Sequence, residues 1–179
     1  MAKQVDATYG NALFELAVEE NKIDELYEQT KELLQIIDEN SDLIKLLCHP
    51  HIDKEDKKKV VKSSFDGRIM DELTGLLVMM VEKDHAQNIT DVLNFFIKQV
   101  KLEKKIGVVY ITSAIELKEE QKVAIEKRLL ETTDYETLEP EYKVDKSLIG
   151  GLVIRIEDRV VDSSIKTKLD SMSKVLAKA

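Results

Sequence analysis

Cys48-His49-Pro50-His51 brings together a thiol and two imidazoles, the side chains that most often hold zinc. Zinc needs four ligands spaced so that a tetrahedron can close, and no second pair of Cys or His stands elsewhere in the sequence. The cluster therefore reads as the end of a helix, with Cys48 packed as a small hydrophobe. His85 is isolated among polar residues and reads as a solvated loop residue. Glu19-Glu20 and Asp71-Glu72 are adjacent along helices, so each pair points in different directions rather than converging in a cleft for acid–base work. Ser63-Ser64 and Ser163-Ser164 have no histidine at a motif spacing. Gly150-Gly151 falls inside an apolar run with strand character, whereas phosphate-loop glycines lie between a strand and a helix. Lys54–Lys62, KEDKKKVVK, mixes acids with its lysines and has no aromatic neighbours, which describes a solvated helix face. No catalytic residue, metal or cofactor is expected.

The composition narrows the remaining options. Of 179 residues, 35% are charged and 43% apolar, a balance suited to one globular domain or two small ones. A net charge of −8 disfavours a nucleic-acid footprint and a polybasic membrane patch alike. No apolar run approaches the ~20 residues of a spanning helix, so no direct membrane insertion is expected. Met1-Ala2-Lys3-Gln4 leads straight into an acidic amphipathic segment, without the apolar core of a signal peptide. Cys48 is the single cysteine, which rules out an internal disulfide and suits a reducing compartment. With no tryptophan, partner anchors must be Leu, Met, Tyr or Phe.

These residues have to be positioned by a chain whose character changes once. Up to about residue 105 every signal is helical. Helices are expected over Asp6–Asn21, over Ile23–Asn40 with a stripe of Leu26, Thr30, Leu33 and Ile37, and from Ser41 to Pro50. Asp53 caps a fourth running to Phe65; a fifth spans Arg68–Lys83, and a sixth opens at Asn88 or Thr90 and ends near Lys105. Gly107–Thr112 is β-branched and aromatic, hence a strand. Lys118–Thr133 is a helix carrying Val123, Ile125, Leu129 and Leu130, and Leu138–Val144 a weak strand that Pro140 confines to an edge.

Leu148–Ile156 is apolar on both alternate faces and reads as a strand covered on both sides, its Gly150-Gly151 pair marking a close approach or a bulge. Glu157-Asp158 reverses the chain, Arg159–Val161 returns as a partner strand, and Asp162, Ser163 and Ser164 offer cap oxygens to a last helix. That helix has a stripe of Ile165, Leu169, Met172 and Leu176, expected to pack mostly on the sheet. The fold class is α+β: a six-helix antiparallel bundle over 1–105, then a small α/β domain of order β-α-β-β-β-α over 106–179.

Two helices carry more apolar surface than one core requires. Helix one has Ala7, Tyr9, Gly10, Ala12, Leu13, Phe14, Leu16, Ala17 and Val18, covering well over half the helical circumference. A helix facing a single core needs a stripe of ~100° or somewhat more. Leu73, Gly75, Leu76, Leu77, Val78, Met79, Met80 and Val81 make helix five similar. Either both helices are central in the bundle, or each has a second face that helps to form a groove for a partner helix. Small residues such as Gly10, Ala12 and Gly75 permit close approach, and Met79-Met80 offer an adaptable lining.

The order V-D-x-S-L-I-G-G-x-V-I-R-I, a turn, V-V-D, then S-I-K-x-K-L over Val144–Leu169 resembles the C-terminal pattern of the F-type ATP synthase delta subunit family, which includes the mitochondrial oligomycin-sensitivity-conferring protein. Tyr9–Ala17, YGNALFELA, resembles that family's Y-A-K-A-L-F-E-x-A helix, so the resemblance spans nearly the whole chain. Glu157 and Ser163 depart from it, standing where the family usually has glycine.

The resemblance implies a non-catalytic stator subunit that links the catalytic head, through alpha-subunit N-termini, to the b subunits of the peripheral stalk. It implies a peripheral place on the cytoplasmic face of the bacterial plasma membrane, as a monomer alone and one copy in the complex. Tyr9, Ala12, Phe14 and Leu16 of helix one, with Leu76, Met79 and Met80 of helix five, are then the candidate contacts for the alpha-subunit helix. Periodicity leaves open which of them faces the partner and which the core. Asp162, Ile165, Lys166 and Leu169 are the candidate contacts for the stalk. An alternative is a helical adaptor with an RNA-binding α/β module, but its first strand has Tyr110 as its single aromatic and the chain is acidic. An enzyme with an unrecognised site would need a convergent polar constellation that the sequence does not offer.

Overall fold

The computed structural model describes residues 2–157 and 159–176. Asp158 of the expected reversal and the side chain of Leu176 lie outside the described residues. Among the described residues the chain forms eight α-helices and one four-stranded mixed sheet, an α+β fold. It divides into two compact units, residues 1–100 and 101–179, a few residues earlier than the composition change suggests.

The first unit holds α1 (Ala2–Glu19), α2 (Ile23–Glu39), α3 (Ser41–Cys48), α4 (Lys54–Phe65), α5 (Asp71–Glu82) and most of α6 (Ile89–Glu103), which a 3-10 turn at Ala86–Asn88 precedes. The stripe of α2 does what its spacing dictates: Leu26, Thr30, Leu33 and Ile37 are buried, and the Thr30 hydroxyl donates to the Leu26 carbonyl at 2.6 Å rather than remaining unpaired. Pro50 cannot continue α3, and His49 before it is extended. The Asp53 carboxylate accepts from the Lys54 backbone N–H at 2.8 Å and opens α4. Helix α1 starts at Ala2, earlier than its polar N-terminal residues suggest. Helix α5 starts at Asp71, later than Arg68, because Met70 is extended with its N–H donated to Gln29 at 2.7 Å. All six helices contribute to one apolar cluster, with Leu13, Leu26, Leu47, Val61, Leu77 and Phe96 among its buried members.

Three local expectations fail in this unit. Cys48 is exposed instead of packed, because α3 ends there and turns its last residue outward. His85 is half-buried, its ring 5.9 Å from that of Tyr9. Lys57, on the face of α4 read as solvated, is buried.

The second unit follows with β1 (Ile106–Ser113), α7 (Glu119–Thr132), β2 (Thr137–Val144), β3 (Leu152–Ile156), β4 (Arg159–Asp162) and α8 (Ile165–Leu176). The strand order is β2-β1-β3-β4, parallel between β1 and β2 and antiparallel elsewhere. Helix α7 is the crossover that a parallel pair requires. The Tyr142 hydroxyl on β2 donates to Glu126 of α7 at 2.7 Å, and on the same side Val109 and Ile111 of β1 are buried. Two of the α7 stripe residues, Ile125 and Leu129, are half-buried, whereas Val123 and Leu130 are exposed. Pro140 sits on outer strand β2 opposite Val109.

The glycine pair is not inside a strand. Lys146–Leu148 forms a 3-10 turn, and β3 begins only at Leu152, with Arg155 exposed and its other residues half-buried rather than covered on both sides. Gly151 has φ +82°, and a side chain there would meet the Ser163 carbonyl oxygen and come within 2.9 Å of the Ser164 Cα. A Cβ at Gly150 would lie 2.6 Å from Ile165 Cδ1. The glycines thus admit the chain that enters α8. Two backbone bonds hold it there, Ile165 N–H to the Gly150 carbonyl and Ser163 N–H to the Leu152 carbonyl, each 2.9 Å. Glu157, where the resemblance implies glycine, has φ +48°, the left-handed conformation that glycine adopts without cost.

Two of the three expected oxygens cap α8, while the Ser163 hydroxyl instead donates to the Leu152 carbonyl at 2.9 Å. Buried Ser164 accepts from Thr167 N–H at 3.2 Å, while Asp162 accepts from Ser164 N–H at 2.8 Å and from the Thr167 hydroxyl at 2.7 Å. The stripe, however, does not pack mostly on the sheet: Ile165, Leu169 and Met172 are all exposed. The helix is held at its first turn, and the neighbouring strand β4 is short and itself fully exposed.

Gly151→Ala is expected to lower the unfolding free energy by about 2 kcal/mol, from strained φ and a backbone clash, readable in urea titration. Asp162 offers a second test. The Thr167 hydroxyl first, and the Ser164 amide next, hold its carboxyl below the usual carboxylate range. Its contribution is complete above the unfolded value of about 3.9 and is lost as pH falls through the lower folded value. Acidification below about pH 4 should therefore loosen the first turn of α8, seen as amide exchange faster than the intrinsic rate change explains. Asp162→Asn should show that faster exchange already at neutral pH.

Candidate partner-binding surfaces

Helix α1 places its residues at about 100° intervals, which sorts the candidate contacts. Gly10, Leu13 and Ala17 face the core, and the Phe95 ring occupies the space a side chain at Gly10 would need. Tyr9, Ala12 and Leu16 share one flank, within about 60° of one another. Phe14 lies about 160° round from Leu16, on the opposite flank beside Val18. Tyr9, Phe14 and Leu16 are half-buried and Ala12 is exposed.

Two contacts fix how α1 lies beside α5. Lys22, just beyond the C-terminal end of α1, donates to Glu72 in the first turn of α5 at 2.7 Å. At the other end Tyr9 meets His85, just beyond the C-terminal end of α5. The two helices therefore run antiparallel, with the flank of Tyr9, Ala12 and Leu16 turned toward α5. The Glu20 and Glu72 carboxylates raise the Lys22 ammonium above the ordinary lysine range, and Lys22 holds the Glu72 carboxyl low in return.

On α5 the candidates separate. Leu76 and Met80 are core residues, 8% and 0% exposed, so they support the groove from beneath. Met79 is 48% exposed, and Gly75 has nothing within 4 Å of where a Cβ would stand. Together Tyr9, Ala12, Leu16, Gly75 and Met79 outline a shallow apolar strip between two helices. Exposed Glu15 and Glu19 on α1, with Asp71 and Glu82 on α5, give it an acidic surround. Neither helix is fully enclosed by its own unit.

In the second unit, Ile165, Leu169 and Met172 form one exposed stripe at helical spacing on α8, Leu169 being 52% exposed and Met172 62%. Val160 and Val161 of β4 are exposed as well. Of the candidate contacts, Lys166 is exposed on the first turn, whereas Asp162 spends both carboxylate oxygens on the α8 cap. The sequence does not single out Met172 or the valines of β4 as contacts. For Met172 the available signal is its place on the same stripe as Ile165 and Leu169. For the valines there is none, because the shortness and exposure of β4 are set by the sheet around it.

Among the described residues no group of three His, Cys, Asp or Glu side chains is placed to hold a metal ion. No helix in the described residues is long and apolar enough to cross a membrane. Both candidate surfaces are apolar with charged surrounds, which suits binding of another chain rather than chemistry on a small molecule.

The family model described as "ATP synthase delta (OSCP) subunit" matches residues 5–176. A protein named ATP synthase subunit delta from Lachnoclostridium phytofermentans is 47% identical over 178 residues, covering 99% of this chain and 98% of its own. One of the same name from Clostridium perfringens (strain SM101) is 31% identical, covering 99% of both. Among solved structures, a chain in the cryo-EM structure of the Toxoplasma gondii mitochondrial ATP synthase hexamer shares the fold, with a TM-score of 0.72 at 16% identity, over 96% of this chain and 97% of that one. The chain thus belongs to the ATP synthase delta (OSCP) subunit family, whose members are structural stator components of F-type ATP synthases rather than catalytic ones.

Proposed function

We propose that this chain ties the catalytic head of the ATP synthase to its peripheral stalk, as a peripheral subunit on the cytoplasmic face of a bacterial plasma membrane. In this reading the first unit, packed as an antiparallel bundle, receives an amphipathic N-terminal helix of an alpha subunit in the strip between α1 and α5. The second unit engages the b subunits through the stripe of α8. The role is mechanical: a rotating central stalk exerts torque on the head, and a static linkage keeps the head from turning with it.

The observation that carries the reading is the exposed apolar strip on two antiparallel helices, with small residues at Ala12 and Gly75 and a flexible one at Met79. A partner helix can approach closely over the small residues, and Met79 adapts to its side chains. The acidic surround favours a partner with basic flanks. A link that persists through turnover needs nanomolar-class affinity, about −12 kcal/mol. Burial at ~25 cal/mol per Å² supplies that gross energy from several hundred Å² of helix contact, before association costs are subtracted.

Titration with a peptide of the alpha-subunit N-terminus, followed by hydrogen exchange, should protect α1 and α5. Ala12→Asp should weaken binding more than tenfold with unchanged circular dichroism, since Ala12 is exposed; unchanged affinity would remove Ala12 from the interface. Leu169→Asp should likewise weaken binding of a b chain while leaving the alpha peptide unaffected. Loss of both binding activities together would contradict the division of labour.

A further inference from the structure

A cleft of about 600 Å³ opens in the first unit where α3 ends, α4 begins and the turn after α5 passes. Its lining includes Cys48, His51, Asp53, Lys54, Lys57 and Gln87. None of these belongs to the strip between α1 and α5.

Its charges are unequally satisfied. Lys54 donates to the Asp84 carboxylate and, at 3.0 Å, to the Glu82 carbonyl. Asp53 is occupied at 2.8 Å by the Lys54 backbone N–H. Lys57 differs: it is 8% exposed, lines the cleft, and its ammonium makes no hydrogen bond or ion pair among the described residues. Its neighbours Lys58 and Lys59, by contrast, pair with Glu55 and Asp56. The Lys57 stem is thus packed away while its ammonium, open to the cleft, has no counter-charge at bonding distance, Asp84 acting on it only from further off. The same cleft lies at the N-terminus of the 12-residue helix α4, whose dipole also favours negative charge. His51 and the Gln87 amide add N–H donors to the lining.

We propose that this cleft binds a small oxyanion, a phosphate or a carboxylate, whose charge is met by the Lys57 ammonium at the start of α4. The volume far exceeds what a single water requires, so a polyatomic anion fits. Asp84 also lines the cleft, but its carboxylate is paired with Lys54 and makes no bond to Lys57. Cys48 serves only as part of the wall: partial burial pushes its thiol up, leaving it protonated at neutral pH.

The test uses the full chain, titrated separately with inorganic phosphate and with acetate at constant ionic strength, and followed by backbone amide NMR. Saturable shifts are expected at His51–Lys57 and Gln87 with millimolar-class affinity. Saturation by phosphate alone assigns a tetrahedral anion, and by acetate alone a carboxylate. Lys57→Met, which keeps the buried stem, should weaken binding at least tenfold; Lys57→Arg, which keeps the charge, should retain it. Should Lys57→Met fail to fold, the same comparison is made with Lys57→Gln. Shifts that do not saturate with either anion, or equal affinity in a folded variant lacking the charge, would overturn the proposal.

Discussion

A single hydrophobic core can use only part of a helix's circumference, and α1 and α5 each carry more than that part. The excess has to be arranged so that it does not simply collapse inward. Here the two helices are set antiparallel, tied at one end by Lys22 to Glu72 and at the other by the packing of Tyr9 against His85. The ion pair is partly exposed and worth little by itself, so its contribution is to alignment more than to stability. The larger energy comes from beneath, where Leu13, Ala17, Leu73, Leu77 and Met80 belong to the common core. A core of this kind holds α1 and α5 from beneath and leaves Ala12, Gly75 and Met79 above it uncovered.

The second unit solves a different problem. Its sheet has to deliver the chain into α8 through a crowded corner, and it does so with backbone rather than side chains. Gly150 and Gly151 vacate the space, the Ser163 and Ile165 amides bond back to Leu152 and Gly150, and Ser164 and Asp162 complete the cap. The start of α8 is therefore well determined, while its apolar stripe stays open. That combination presents a rigid origin with an unfilled face.

Much of the fold could be read from the residues because the strongest patterns are local. The stripe of α2, the Asp53 cap, the stop at Pro50 and the β-branched run of β1 each appear where their chemistry places them. What escaped depended on contacts distant in sequence. Leu148–Ile156 is apolar enough to be a continuous strand, yet Ser163 and Ile165, about a dozen residues on, claim the space around its glycines and defer β3 to Leu152. Lys57 looks like one more solvated lysine in a basic run until the chain folds it against the end of α3. Of the candidate contacts, periodicity alone could not divide Leu76 and Met80 from Met79, or Phe14 from Tyr9. The division followed from which neighbours α1 and α5 turned out to have.

Pro140 has a consequence at the level of the population of molecules. An outer strand normally displays a row of amide hydrogens that a second copy of the same chain can use as a template. On β2 that row is interrupted, because proline has no hydrogen to give, and the exposed Glu141 stands beside the gap. Stacking of like sheets along this margin is penalised by the missing donor and by an exposed carboxylate that would meet its own copy. Outside its assembly, a chain of this build is protected on that side from recruiting itself.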